Sequence, residues 1–316
     1  MGPGRRDADA DSYYVKRGRP TGEAQNVRDA LAEVLARFGR LSASEFTPAA
    51  LEECRQVMIR TGLARNTINA RVRRIRRIFK WGVGHAGVPA ETWYRLMTVE
   101  ALKRGRSKAR ETKPVGPVAQ EHIDAALPFM ASPVRAMVEL QLATGMRPGE
   151  VRALRPADID ASGDIWTYTP AEHKTEHLGN DRVIDLGPKA QAILRPFLAR
   201  KVGAAYLFSP RDALRERYGG CQTHRHQANA APKTGRRVRD QYTKGAYIQA
   251  IRNACEKAGV PRWAPNRLRH NVATRLRALY GIETARAVLG HKKLSTTEVY
   301  AEQDRTRARQ AMRDVG

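Results

Sequence analysis

Cysteine is scarce in this chain. Cys54, Cys221 and Cys255 are three among 316 residues, odd in number and far apart. That excludes a disulfide framework and makes a reducing interior the natural compartment. No stretch approaches the roughly 20 apolar residues that span a bilayer. Met1 to Pro20 carries charges throughout and lacks the apolar core of a signal peptide. The expectation is a cytoplasmic protein with no membrane partner. Walker loops, His-Glu-x-x-His pairs and Gly-x-Ser-x-Gly elbows are also missing, so none of those signatures supplies its chemistry. Internal repeats are missing too.

Acidic side chains are the other shortage. Against 57 Lys and Arg stand 32 Asp and Glu, a net charge of +25. An excess of that size favours a polyanion through counterion release, with nucleic acid first and anionic membrane or acidic protein behind it. A merely supercharged soluble surface is the plainer alternative. The 41% hydrophobic content suits a soluble globular core, and the length allows two domains.

Residues 1 to 23, rich in Gly, Pro, Arg and Asp, read as a mobile basic arm. From Asn26 the apolar residues Val27, Ala30, Leu31, Val34, Leu35 and Phe38 fall at helical spacing up to Gly39. A second helix should start at Thr47-Pro48, Thr as cap and Pro in first position, and run through Leu51, Cys54 and Met58. In a third, about Asn66 to Val83, Ile68, Val72, Ile75 and Phe79 fall within about 60° of one another. Arg73, Arg77 and Lys80 lie opposite, with Arg71, Arg74 and Arg76 on the flanks. Six basic residues without an acid favour a phosphate-tracking face over an ordinary solvated one. A fourth helix near Ala90 to Lys103 would close a small bundle, making 24 to 104 a DNA-binding helical domain. Residues 105 to 117, in a basic stretch punctuated by Pro and Gly, read as a linker, mobile when free.

Residues 118 to 316 form the second domain. Helices are expected at Gln120 to Ala131 and Pro133 to Leu142, then strands at Asp164 to Thr169 and Arg182 to Leu186 around a Gly179-Asn180 turn. Helices return from Pro188, residues 209 to 242 resist assignment, and Lys244 to Val315 is helical with breaks.

Within it, Gly145 ends one helix and Pro148 opens the next, so Arg147 stands at a helix N-terminus, where a guanidinium makes a phosphate clamp. On these residues alone, an ordinary capping-region arginine paired with Glu150 is the favoured reading. Lys174 beside a turn reads by itself as a solvated lysine. His270, next to Arg269, is about 100° round a helix from it and is expected to pack. Ser295-Thr296-Thr297-Glu298 forms a capping box, which puts Tyr300 in the second turn of a helix nine residues after His291. Cys221, His224 and His226 suggest zinc, but structural zinc wants four ligands and no second pair is near, so no metal is expected.

The order Thr144-Gly145-Met146-Arg147, Lys174, Arg267-Leu268-Arg269-His270, Leu289-Gly290-His291 and Tyr300 resembles the tyrosine recombinase (phage integrase) family, over roughly residues 24 to 313. The resemblance implies a mainly α protein. A helical core-binding bundle would precede an α-rich catalytic domain with a small antiparallel sheet, the two clamping duplex DNA. It implies that Arg147 and Arg269 bind the scissile phosphate, that Lys174 protonates the departing 5′ oxygen, and that His291 contacts the phosphate. Tyr300 would be the nucleophile, leaving a 3′-phosphotyrosyl link, without metal, cofactor or ATP. Asn266 stands where the family has histidine; an amide donates a hydrogen bond but exchanges no proton. A homotetramer on two DNA sites, accessory DNA-bending proteins and nucleoid association follow from the same resemblance, with Ala301 to Val315 suited to docking on a neighbour. A type IB topoisomerase-like enzyme and a catalytically impaired DNA-binding relative are the alternatives.

Overall fold

The computed structural model describes residues 13–16, 18–171, 182–218 and 238–290. It divides into two units between Pro114 and Val115, inside the stretch read as a linker.

In the first unit, order begins earlier than the helical spacing indicates. Strands β1 (Val15–Lys16) and β2 (Arg19–Pro20) pair antiparallel, Val15 opposite Pro20. Helix α1 (Glu23–Phe38) buries Ala24, Val27, Ala30 and Val34. Leu35, counted among its apolar positions, is 51% exposed, because it lies about 100° round from Val34 and off the buried stripe. Helix α2 (Pro48–Arg60) starts as expected: Thr47 Oγ1 accepts the Ala50 amide at 3.2 Å. Helix α3 (Arg65–His85) buries Ile68, Val72, Ile75 and Phe79. Full burial of those four side chains is worth on the order of 8 kcal/mol, so the seam rather than surface ion pairs holds this helix.

Helix α4 (Ala90–Met97) is shorter than the expected run to Lys103. The Thr98 hydroxyl donates to the Arg95 carbonyl at 2.7 Å, and the chain then runs along α3 without helical bonding. The Asn69 side chain replaces the helical bonds, accepting from the Leu102 amide at 2.8 Å and donating to its carbonyl at 3.0 Å. The basic stretch beyond is also held rather than loose up to Glu111. The Arg65 amide donates to the Arg110 carbonyl at 2.9 Å, Arg65 pairs with Glu111 at 2.6 Å, and Ala109 is buried.

The second unit opens with α5 (Gln120–Ala126), a 3-10 turn at Leu127–Phe129, and α6 (Ser132–Thr144). Helix α6 is buried over most of its circumference and packs against the later helices, with Arg135 and Glu139 paired at 3.0 Å on its open side. The short α7 (Pro148–Ala153) leads to a three-stranded antiparallel sheet in order β3 (Ile159–Asp160), β4 (Trp166–Tyr168), β5 (Ile184–Leu186). Two of these strands were expected; β3, two residues long, carries no alternation to read. Helices α8 (Pro188–Leu198), α9 (Pro210–Tyr218), α10 (Lys244–Lys257) and α11 (Asn266–Leu289, kinked at Gly281) complete the unit. No helix among the described residues is long and apolar enough to cross a membrane.

Candidate active site

Helix α6 ends at Thr144, and Gly145 follows with φ +69°, a backbone state that costs glycine nothing. A Cβ there would also lie 2.7 Å from Leu289 Cδ2 and 3.1 Å from Val272 Cγ1, so α11 packs directly on this turn. Buried side chains secure it. Gln141 donates to the Met146 carbonyl at 3.0 Å and accepts from the Tyr247 hydroxyl at 2.8 Å. Tyr168, from β4, donates to the Glu150 carbonyl at 2.9 Å. Burial pushes both phenols above their ordinary range, which keeps them protonated donors. With water excluded, this network places the backbone of residue 147 against fixed partners.

Arg147 caps α7 in extended conformation, with Pro148 in the first helical position. Its amide donates to Glu150 Oε2 at 2.6 Å and its guanidinium to Glu150 Oε1 at 2.8 Å. A second guanidinium shares that carboxylate: Arg182 Nε stands 3.6 Å from Glu150 Oε1. Burial pushes the Glu150 carboxyl up, but Arg182, the Arg147 amide and the Arg147 guanidinium outweigh it and hold the group below the usual range. Of the three side chains, Glu150 is 3% exposed, Arg182 8% and Arg147 24%, so Arg147 is the one that reaches outward.

Arg269, on the first turns of α11, is 1% exposed. Its guanidinium donates to the Gly145 carbonyl at 2.6 Å and to the Leu289 carbonyl. Those are carbonyls at the C-terminal ends of α6 and α11, where helical bonding has run out and the helix dipoles favour a cation. One side chain therefore ties together the ends of two helices 144 residues apart in numbering, Gly145 to Leu289. Neighbouring residues fix where the chain enters this unit: Arg267 donates to the carbonyls of Gly116 and Pro117 at 2.9 and 2.6 Å. Asn271 exchanges two bonds with Val118. His270 is buried, as packing requires, and Asn266 is exposed at the first position of α11.

Lys174, His291 and Tyr300 lie outside the described residues, as do the Gly179-Asn180 turn, Cys221, His224, His226, the Ser295 to Glu298 box and Ala301 to Val315. Position 290 is described. Gly290 has φ +63°, and a Cβ on it would fall 2.5 Å from Arg182 Nη1. The segments around residues 145–150, 182, 269 and 288–290 therefore converge. Sequence reasoning missed Arg182 as a member of this cluster, together with Gln141, Tyr168 and Tyr247 beneath it. An arginine before a strand and polar residues within apolar helices carry no spacing signal.

The basic helix α3 obeys the expected geometry: Arg73, Arg77 and Lys80 are exposed, and Arg71, Arg74 and Arg76 half-buried. Partners divide the six further. Arg74 forks onto both oxygens of Glu23 at 3.0 Å, and Arg77 reaches the same carboxylate at 2.7 Å. The Arg74 hydrogen bond, against some burial and helped by Asn26 and Arg77, lowers the Glu23 carboxyl from 4.5 to about 2. Arg76 donates to the Val99 carbonyl, and Arg71 stands 3.9 Å from Asp29. Arg77 lies over the Tyr14 ring and Lys80 over that of Trp93, at 5.6 and 5.2 Å. Arg73 makes no ion pair with the described residues.

Set beside known proteins, the chain matches the phage integrase family over residues 119–307. It is similar to the tyrosine recombinase XerD of Ralstonia nicotianae, 26% identical over 247 residues that cover 77% of this chain and 71% of that one. An integrase/recombinase of Escherichia coli is 29% identical over 215 residues, and the match spans 62% of each protein. Among solved structures, the Tn1549 transposon integrase in complex with transposon right end DNA superposes with a TM-score of 0.67 at 17% identity, covering 99% of both chains. A lambda integrase dimer bound to a COC′ core site gives 0.66 at 14% identity, covering 95% of this chain and 75% of that one. Likeness at that identity shows a shared fold, the α-rich architecture with a small antiparallel sheet. The chain belongs to the phage integrase family and is a site-specific recombinase of the tyrosine type.

Proposed function

We propose that this protein cuts and rejoins duplex DNA through a 3′-phosphotyrosyl intermediate. The observation that carries the reading is the convergence of Arg147 and Arg269 on the Gly145 turn, one facing outward and one locked between two helix ends. Guanidinium groups held this way neutralise charge that builds on phosphoryl oxygens in the transition state. The Tyr300 phenolic oxygen attacks phosphorus and the bond to the 5′ oxygen breaks. Lys174 supplies the proton that makes the leaving group a 5′ hydroxyl. A 5′ hydroxyl from another strand then attacks the phosphotyrosine and releases Tyr300. Bond energy is conserved across the two exchanges, so the reaction needs no ATP, and the fixed cations supply the charge that a metal would bring.

In this reading His291 contacts the phosphate, and Asn266 positions it by a hydrogen bond without proton transfer. Arg71, Arg73, Arg74, Arg76, Arg77 and Lys80 mark the DNA-facing side of the first unit, with Arg73, Arg77 and Lys80 its exposed members. Four copies on two DNA sites, with accessory bending proteins, complete the reaction in the nucleoid of the cytoplasm.

The test is a duplex carrying the chain's own site, located by footprinting the DNA that flanks the gene, with a nick beside the cleavage point. Wild type is expected to be trapped on it covalently. Tyr300→Phe should give no adduct while keeping DNA affinity. No adduct from wild type would leave a DNA-binding relative, the alternative that Asn266 keeps open. Relaxation without strand exchange would mark a topoisomerase-like enzyme.

A further inference from the structure

We infer that Arg182 is a positioning residue of the strand-cleaving site: by sharing the buried Glu150 carboxylate, it leaves the Arg147 guanidinium open to the DNA phosphate. The inference rests on the reading of Arg147 as a phosphate ligand. Three contacts locate Arg182: its Nε faces Glu150 Oε1 at 3.6 Å, and its Nη1 donates to the Val288 and Val183 carbonyls at 3.3 and 3.4 Å. The same nitrogen occupies the space that a side chain on residue 290 would fill. Gly290 is thus required for a reason besides its φ of +63°.

Stability alone does not account for this arginine. It is 7% exposed, and its Nε and Nη2 have no hydrogen-bond partner among the described residues. A buried guanidinium with unmet donors is costly, and an apolar side chain of similar length would fill the same space without that cost. What an apolar residue lacks is charge. Residue 150 must keep an acceptor oxygen in place, because Glu150 Oε2 holds the Arg147 amide at 2.6 Å and so orients the residue. With Arg147 as sole counter-ion, carboxylate and guanidinium would form a neutral pair, and Arg147 would add no net charge to that of Arg269 for a phosphate. With Arg182 present the cluster of two guanidiniums and one carboxylate keeps a net positive charge, and the outward member is Arg147. Electrostatic preorganisation of this kind depends on cations that do not have to be released from an internal partner when the substrate arrives.

The experiment uses the full chain and the nicked duplex, and reads adduct rate, affinity for intact duplex, and thermal melting. Arg182→Met is expected to slow adduct formation roughly 100-fold, the scale on which small misplacements of a catalytic group act. Affinity for intact duplex, set by many backbone contacts, should hold. Adding Glu150→Gln to Arg182→Met should recover about tenfold of the rate, since an amide competes weakly for a guanidinium. A purely structural role gives the opposite, a double variant no faster than the single one. Should Arg182→Met fail to fold, Arg182→Lys decides: it keeps the charge and should form adduct within about tenfold of wild type. Loss of the adduct in a folded Arg182→Lys chain overturns the inference. So does a wild-type rate in Arg182→Met. Absence of adduct in wild type overturns the cleavage reading itself, and this inference with it.

Discussion

The basic residues of α3 and the arginines around Gly145 are the same chemistry in two settings. On α3 the cationic groups are exposed or half-buried, paired with Glu23 and Asp29 or, for Arg77 and Lys80, lying over the rings of Tyr14 and Trp93. Each such pair is worth about 0–1 kcal/mol. The helix would stand on its apolar seam without them, so these cations are available to a ligand at little loss. In the second unit Arg269 and Arg182 are nearly inaccessible and are bonded to helix-terminal carbonyls or a buried carboxylate. There the cations organise the backbone, and Arg147 alone is left partly open. On the proposed reading, exposure separates arginines that would track DNA from arginines that would build the place where it reacts.

The largest effect expected from that contrast is at Arg269. Arg269→Met should destabilise the second unit by about 3 kcal/mol, since it removes charged hydrogen bonds and strands two buried carbonyls. It should also remove adduct formation on the nicked duplex. A denaturant melt that matches wild type would break the comparison.

Replacing Arg73 and Lys80 together by Ala should act in the reverse way. Melting should be unchanged, while DNA affinity falls alike for every sequence and the slope of log K against log salt drops by about 2. Arg74→Ala, whose fork is committed to Glu23, should instead cost stability and leave the slope nearly intact. An unchanged slope in the double variant would remove this face of α3 from the DNA contact.

The smallest effect is at Glu23. Its carboxyl titrates at about 2 when folded against 4.5 ordinarily, so its contribution is complete above about 4.5 and is lost as pH falls towards 2. The carboxylate is partly solvated, which limits the contribution to about 1 kcal/mol. Glu23→Gln should lower stability by that amount at neutral pH and flatten the decline between pH 4.5 and 2. Stability profiles by thermal melting at stepped pH would show it. A variant as steep as wild type would mean that the Arg74 and Arg77 contacts contribute nothing.

How much was legible follows the same division. The Thr47-Pro48 start of α2, the seam of α3 and the exposure of Arg73, Arg77 and Lys80 were readable because helical periodicity converts spacing into direction. Helix α4 was read too long because nothing in Ala90 to Lys103 announces that Asn69, a turn into α3, captures the Leu102 backbone. In the site, the place of Arg147 at a helix N-terminus was readable from Gly145 and Pro148, whereas Arg269 entered only through the family resemblance. Arg182 was not readable, since its partners Glu150 and Val288 lie 32 residues before it and 106 after it.

By itself, the order of residues determined most of the helices, though not Pro210–Tyr218, and which faces the regular ones bury, because those depend on local periodicity and backbone freedom. Around Gly145, tertiary structure alone decided which arginine stays open and which are consumed. That outcome turns on a single buried carboxylate and a few helix-end carbonyls brought together from distant parts of the chain, and electrostatic pairing acts through space rather than along the sequence.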